Sequence, residues 1–455
     1  MLKISRFLED VDLNKDELLL FSTRSGELQH LKKSIFEHLQ KGDFSKISQP
    51  VVERLVQSKI LVPADENEYI AIINNIEPES SDVLSFTLLP TADCQLGCLY
   101  CGQVHEKNQM DKEMCGIVIY YITNKLKSNQ FKKLDITWYG AEPLLNIEAI
   151  ELISNDLINY CQSNSFEYSS SMVTNGLALT EPVFVKMVNL GITDFQITID
   201  GNKSDHDSSR PTKGHGKTFD TIIKNIVAAA KNPIYKEKEC SITIRCNVHK
   251  YNHTSINALI ELFHEQKIAD KIAVYFHPVL DWGGNNANKE IGLSGFEFGL
   301  LEIDWMLKLK ELGFRIWKNV LPPVISSISC MVFSKHSEMI DSKGRLSLCW
   351  KVSHTPMYDY PDSDLIYGEI NNQLTIKDRD SLPFSNWIRD IDDGKYGMKC
   401  KQCKYLPVCL GSCPINWYSG ITDCPQFIYN IKDRMVFSYI LTLEEKQKEE
   451  EMASA

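Results

Sequence analysis

The stretch Leu84-Ser-Phe-Thr-Leu-Leu-Pro90-Thr-Ala-Asp-Cys94-Gln-Leu-Gly-Cys98-Leu-Tyr100-Cys101 decides the fold. Its apolar first half reads as a buried strand, and its second half is a loop with cysteines spaced C-x3-C-x2-C. Such a loop can wrap three thiolates around one iron–sulfur cubane. Clusters of that kind normally take four cysteine ligands, so a three-cysteine site leaves one iron open to an outside ligand. A zinc knuckle or three buried thiols are the other readings of the same spacing.

Around that loop the chain is long, 455 residues, which predicts two or three domains. Its hydrophobic and charged contents, 43% and 24%, are those of an ordinary globular protein. A net charge of −11 without a basic block argues against a nucleic-acid partner. No apolar run approaches the roughly 20 residues needed to cross a bilayer, so no membrane partner is expected. The N-terminus lacks a signal-peptide pattern, and a cytoplasmic location is expected. In that compartment 14 cysteines read as metal ligands rather than disulfides.

From residue 84 to about 325 strand and helix patterns alternate, which predicts a parallel sheet. Strands are expected at Leu84–Pro90, Leu134–Tyr139, Ser170–Val173, Asp194–Ile199, Ser241–Val248 and Ile272–His277. Helices are expected at Cys115–Leu126, Ile147–Cys161, Glu181–Leu190, Phe219–Ala230 and Ser255–Gln266. Each strand runs into chemically distinctive residues. The second leads to Gly140-Ala141-Glu142-Pro143, the third to Thr174-Asn175-Gly176, and the fourth to Thr198-Ile-Asp200 with Arg210 beyond it. The fifth carries Arg245 and Asn247, and the sixth ends at His277. Taken singly these have plain structural readings: a turn, a strand end, a buried ion-pair arginine, a core histidine.

In this order, behind the cysteine loop with Tyr100 before its last cysteine, the chain resembles the radical SAM enzymes. The resemblance implies an α/β fold, a partial (β/α)6 barrel with its chemistry at the C-terminal ends of the strands. It implies that Cys94, Cys98 and Cys101 are the catalytic cluster's ligands, and that the open iron chelates S-adenosyl-L-methionine. Cleavage of that cofactor would give a 5′-deoxyadenosyl radical. Gly140, Ala141, Glu142 and Pro143 resemble the family's Gly-Gly-Glu-Pro motif, whose backbone and Glu receive the methionine ammonium; Ala141 departs from it. Thr198 and Arg210 would grip the methionine carboxylate. Tyr100, Thr174, Asn175, Asp200 and Arg245 complete the expected cofactor site.

After Pro322-Pro323 the periodicity gives way to a second cysteine framework: Cys330, Cys349, Cys400-x2-Cys403-x5-Cys409-x3-Cys413 and Cys424. It resembles the SPASM domain of radical SAM peptide maturases. By that resemblance Cys400, Cys403, Cys409 and Cys424 hold one auxiliary cluster, and Cys330, Cys349 and Cys413 the other. Three 4Fe-4S clusters are then expected in all. The eighth cysteine of fully ligated relatives is missing from Lys318–Ser329, which leaves an auxiliary iron open or ligated by another residue such as Cys240 or Cys246. Cys115, Cys161, Cys240 and Cys246 otherwise read as small core residues.

Residues 1–80 read as a separate domain. A strand at Glu17–Ser25, helices carrying Leu31 to Leu39 and spanning Gln49–Ser58, and a wing-like hairpin of Ile60–Val62 with Tyr69–Ile73 resemble a winged-helix peptide-recognition domain. A bound leader peptide would add as a strand beside Glu17–Ser25. The expected domains are thus 1–80, a barrel at 81–325, an auxiliary-cluster domain at 326–430, and a helix with a charged tail at 431–455.

The function implied is maturation of a ribosomally made precursor peptide bearing a leader, by hydrogen abstraction and crosslinking through sulfur or carbon. A flavodoxin or ferredoxin would supply electrons. A peptide epimerase, a sulfatase-type maturase and a degenerate, non-enzymatic peptide binder are the alternatives. The sulfatase-type branch places an Asp base after the second cysteine of the framework. Here Cys349 is followed by Trp350 and Lys351, which disfavours it.

Overall fold

In the computed structural model, residues 1–75, 82–128, 131–316, 322–323, 330–332, 334–371, 375–422 and 424–454 are described. Six parallel strands, Val83–Leu88, Lys133–Trp138, Glu167–Thr174, Ile192–Thr198, Ser241–Val248 and Ile272–Pro278, lie side by side in sequence order. Each agrees with its expected position to within a few residues. Helices Lys112–Ser128, Ile147–Ser163, Glu181–Asn189, Phe219–Lys231 and Ile256–Glu265 connect them. Phe86, Ile136, Phe195, Ile244 and Ile272 are buried, as strands covered by crossover helices require.

The sheet does not stop at six strands. Ser337–Ile340 pairs in parallel with Val83–Leu88, and Arg345–Ser347, Ile366–Glu369 and Thr375–Ile376 extend it antiparallel to ten. The segment assigned by sequence wholly to the cysteine-rich domain therefore begins as part of the barrel sheet. The chain divides into two units: Ser80–Ile316 with Ser334–Ser385, and Met1–Glu79 with Trp317–Phe333 and Asn386–Ala455. The N-terminal residues and the C-terminal cysteine segment thus share one unit.

Inside that unit Leu8–Asp12, Glu17–Ser22 and Glu27–Lys32 form an antiparallel sheet with Glu17–Ser22 in the middle. Leu19 and Phe21 pack on Ile431 and Met435 of the helix Phe427–Ser454. Leu18, Leu20 and Leu31 pack on the other face with Leu39, Leu55 and Ile60, from the helices Lys33–Gln40 and Gln49–Gln57 and the turn after them. The buried Glu9 carboxylate meets Tyr405 and, at 2.7 Å, Lys404.

Two expectations are corrected here. Tyr69–Ile73 is not half of a wing but lies in the helix Glu68–Asn75, with Tyr69 and Ile72 buried three apart and Ile70 exposed. Leu61–Pro63 pairs instead with Leu2–Ile4. And Glu17–Ser22, paired on both sides, has no free edge for an added strand. Apart from Pro322 and Pro323, the Lys318–Ser329 segment lies outside the described residues.

Candidate active site

The cysteine loop is held by the segment that follows the fourth strand. Gly97 N donates to Pro211 O at 2.8 Å, Leu99 N to Ser209 O at 3.0 Å, and Lys213 N to Gln95 O at 2.9 Å. Gly102 has no room for a side chain, because a Cβ there would sit 2.0 Å from Trp282 O. This close approach locks the loop's exit against the loop after the sixth strand. Asp281 fixes the latter, its carboxylate accepting the backbone N–H groups of Gly283, Gly284, Asn285 and Asn286.

The three thiols border a cavity of about 360 Å³ at the C-terminal ends of the strands. Burial pushes Cys94 up to about 12 and Cys98 up to about 11, and raises Cys101. Thiols crowded in a dry loop stay protonated until a metal replaces the protons. Among the described residues no three His, Cys, Asp or Glu side chains converge on a single metal-ion position. A cubane asks for something else: one thiolate per iron, arranged around a cluster.

Behind the loop stands a buried polar network. Tyr100 donates to Asp200 Oδ2 and accepts from Arg210 Nη1 at 2.6 Å and from Asn247 Nδ2 at 3.0 Å. Asp200 Oδ1 accepts Asn247 N at 2.8 Å, and Arg210 lies 3.9 Å from Asp200. Burial raises the Tyr100 pKa, which keeps the phenol a donor. Arg210 Nε is buried and has no acceptor among the described residues. A guanidinium with an unmet donor beside the cysteine loop fits a carboxylate ligand such as that of S-adenosylmethionine. Thr198 lines the same cavity.

His206 supports this network from outside. Its Nδ1 accepts the Asp200 N–H at 3.1 Å, which places the ring proton on Nε2, 3.2 Å from Thr218 Oγ1. Burial, then the Arg210 charge, lowers its pKa to about 3, so the ring is neutral.

Glu142 departs from its expected role. It is fully buried and does not line the cavity, whereas Gly140, Ala141, Thr174 and Asn175 do. Its Oε1 accepts Thr174 Oγ1 at 2.6 Å and Leu144 N at 3.1 Å, and its Oε2 accepts Asn175 N at 2.7 Å. Burial raises its pKa and these donors oppose the rise. Glu142 therefore ties the ends of the second and third strands together and caps the short helical turn Pro143–Asn146. Gly140 needs its glycine: φ is +85°, and a Cβ would meet Leu89 Cγ at 2.3 Å. Ala141 is not among the positive-φ residues, so alanine replaces the family glycine without strain.

On the far wall Arg245 pairs with no carboxylate among the described residues, unlike a buried ion-pair arginine; its Nε donates to Asn247 Oδ1 at 2.9 Å and its Nη1 to Tyr275 OH at 3.3 Å. His277 does not line the cavity. Its Nδ1 lies 2.8 Å from Pro278 O, and burial lowers its pKa to about 3. Sequence reading did not place Tyr139 or Trp350 in the site, yet their rings meet at 4.8 Å in the cavity wall. Trp350 directly follows a framework cysteine, which was the available signal.

Residues 88–263 match the Radical SAM superfamily. That stretch is a radical SAM domain. The domain implies S-adenosylmethionine and a 4Fe-4S cluster, and the three thiols, the cavity and the Arg210 donor fit both. Bound there, the pair supplies one-electron cleavage of a sulfonium and a hydrogen-abstracting carbon radical. The chain is similar to the radical SAM cyclopropyl synthase TigE of Paramaledivibacter caminithermalis, 24% identical over 295 residues and 56% of this chain. It is also similar to the Fe-coproporphyrin III synthase of Methanosarcina barkeri, 23% identical over 49% of this chain. The matched stretches span 61% and 52% of those proteins' own lengths. In fold it resembles native anSMEcpe with bound AdoMet, with a TM-score of 0.57 and 18% identity over 79% of this chain and 100% of that one.

The auxiliary cysteines fall into groups. Cys400, Cys403 and Cys424 lie close enough to Cys409 for their charges to add to the effect of burial, which pushes Cys409 up to about 12. Cys330, pushed up to about 11 chiefly by burial, is likewise affected by Cys413. These six belong to one unit and Cys349 to the other. Cys115, Cys161, Cys240 and Cys246 are buried. Cys246 alternates with the cavity-lining Arg245 and Asn247, so it points to the sheet's other face.

Proposed function

We propose that this radical SAM enzyme matures a ribosomally made precursor peptide, joining two of its residues by a thioether or carbon–carbon bond. The observation that carries the reading is the cavity wall beside Cys349: Trp350, not a carboxylate, stands there, and the lining residues include no Asp or Glu. Oxidation of a Cys or Ser side chain to an aldehyde needs a base to take its proton. A crosslink also releases one proton, but its chief demand on the wall is to hold the peptide, exclude water and keep the reacting side chains in register. Tyr139 and Trp350 supply an aromatic surface for that.

A fold neighbour of TM-score 0.56, anSMEcpe with bound AdoMet and Cp18Cys peptide, supports a peptide as occupant. The cyclopropyl synthase relative favours carbon–carbon bonding as the second form of the product. In this reading Cys400, Cys403, Cys409 and Cys424 hold one auxiliary 4Fe-4S cluster, and Cys330, Cys349 and Cys413 the other. A flavodoxin or ferredoxin delivers the electron, and the N-terminal domain holds the leader, raising the local concentration of the segment to be modified.

The test uses the anaerobically reconstituted full chain with S-adenosylmethionine, dithionite and each peptide encoded by any short reading frame found beside its gene. A product lighter by two hydrogens with a new internal bond in tandem mass spectra is expected. A product of unchanged mass that carries solvent deuterium at an α-carbon would identify an epimerase instead. A product aldehyde would identify the sulfatase-type reaction.

A further inference from the structure

Two guanidinium groups face the cavity, and their surroundings differ. Arg210 lies beside the cysteine loop, ion-paired with Asp200 and bonded to Tyr100. Arg245 stands one strand further along, in register with Thr198 on one side and Tyr275 on the other. All its partners are neutral: the Asn247 carboxamide, the Tyr275 hydroxyl, and the Tyr275 ring, whose centroid is 5.8 Å from the guanidinium carbon. Among the described residues no carboxylate lies within ion-pair distance of Arg245.

The neutral partners are themselves fixed. Tyr275 OH donates to Gln196 Oε1 at 2.9 Å, and Asn247 Nδ2 donates to Tyr100, so Asn247 must turn its oxygen to Arg245. The fork is thus oriented before anything binds. A cation in a partly dry cavity without a counter-charge is destabilised until an anion reaches it. The planar fork suits a carboxylate. Arg210, with its unmet Nε nearer the cysteine loop, already fits the one carboxylate of S-adenosylmethionine.

We propose that Arg245 anchors a carboxylate of the substrate peptide, an Asp or Glu side chain beside the modified residue. This rests on the peptide reading above and narrows it to acidic core segments. Asn247, bonded to both arginine-bearing networks, keeps the two anion sites apart.

The test uses the full-length, cluster-loaded enzyme with S-adenosylmethionine and two capped hexapeptides, identical except for a central Asp or Asn. Equilibrium binding of each peptide is measured anaerobically, together with the affinity for S-adenosylmethionine. The wild type should bind the Asp peptide about tenfold more tightly, a difference of about 1.4 kcal/mol. Arg245→Gln should remove that preference, Arg245→Lys should keep part of it, and affinity for S-adenosylmethionine should stay within about twofold. Equal binding of the two peptides by the wild type overturns the proposal, whether or not the variants fold. So does an Arg245→Gln enzyme that keeps the preference. A tenfold loss of S-adenosylmethionine affinity in that variant would assign Arg245 to the cofactor instead. Whether the precursor is crosslinked at all is read separately on the wild type, so failure of the maturase reading is distinguishable.

Discussion

Glu142 Oε1 accepts a 2.6 Å hydrogen bond from Thr174 Oγ1, joining the C-terminal ends of two adjacent parallel strands beneath the cysteine loop. Glu142 N also donates to Asp93 O at 3.0 Å, next to Cys94. The carboxylate is therefore a positioning group whose loss would shift three segments together. Glu142→Gln would set an amide N–H₂ against donors, leaving buried groups unpaired at about 1–3 kcal/mol. The expected outcome is a lower urea midpoint and at least tenfold slower 5′-deoxyadenosine release. An activity loss with an unchanged midpoint would return Glu142 to the role of a direct ligand.

Iron content separates the cysteine sets. Three cubanes correspond to about twelve irons per chain. The Cys94/Cys98/Cys101→Ala variant should lose about four and form no 5′-deoxyadenosine. Cys409→Ala should lose about four others while the S-adenosylmethionine-responsive spectrum persists. Iron analysis and electron paramagnetic resonance would check this, and 5′-deoxyadenosine from the triple variant would remove the central assignment.

Leader binding should appear at the edge strand Glu27–Lys32, since Glu17–Ser22 is already paired on both sides. The other edge carries the buried Glu9, engaged by Tyr405 and Lys404. Peptide added along an open edge shields its amides. Hydrogen exchange followed by mass spectrometry should show slower exchange across Glu27–Lys32 on adding the precursor. Protection elsewhere, with none on this strand, would reject the site. Truncation of residues 1–80 is a poor test, because Leu19 and Phe21 form a core with Ile431 and Met435.

His206 predicts an acid sensitivity. Its native pKa is lowered to about 3 from an ordinary value near 6.5, so between those values the unfolded chain binds the extra proton. Stability from this group is present above about pH 6.5 and is lost as pH falls. At pH 5 the loss is about 2 kcal/mol. Urea midpoints measured from pH 7.5 to 5 should fall less steeply in His206→Gln than in the wild type. Parallel slopes would show that the ring is charged in the folded state.

The sequence by itself determined what is written in local spacing. Three cysteines within eight residues must share a loop, and the runs of Ile, Phe and Val between amphipathic helices could form only buried parallel strands. Period-two alternation likewise put Arg245 and Asn247 on the face opposite Cys246. Tertiary structure alone decided which distant groups meet. Tyr69–Ile73 is an apolar run short enough to suit strand or helix, and burial of Tyr69 and Ile72 on one side settled it. Glu142 became a strap between strands rather than a wall of the cavity because Thr174, 32 residues away, reaches it first. The grouping of residues 1–79 with the C-terminal cysteines came from a core built across the whole length of the chain. That Arg245 has no carboxylate partner among the described residues is a property of everything packed around it. No spacing encodes it, since hydrogen-bond partners are chosen by sheet register and packing between segments far apart in the chain.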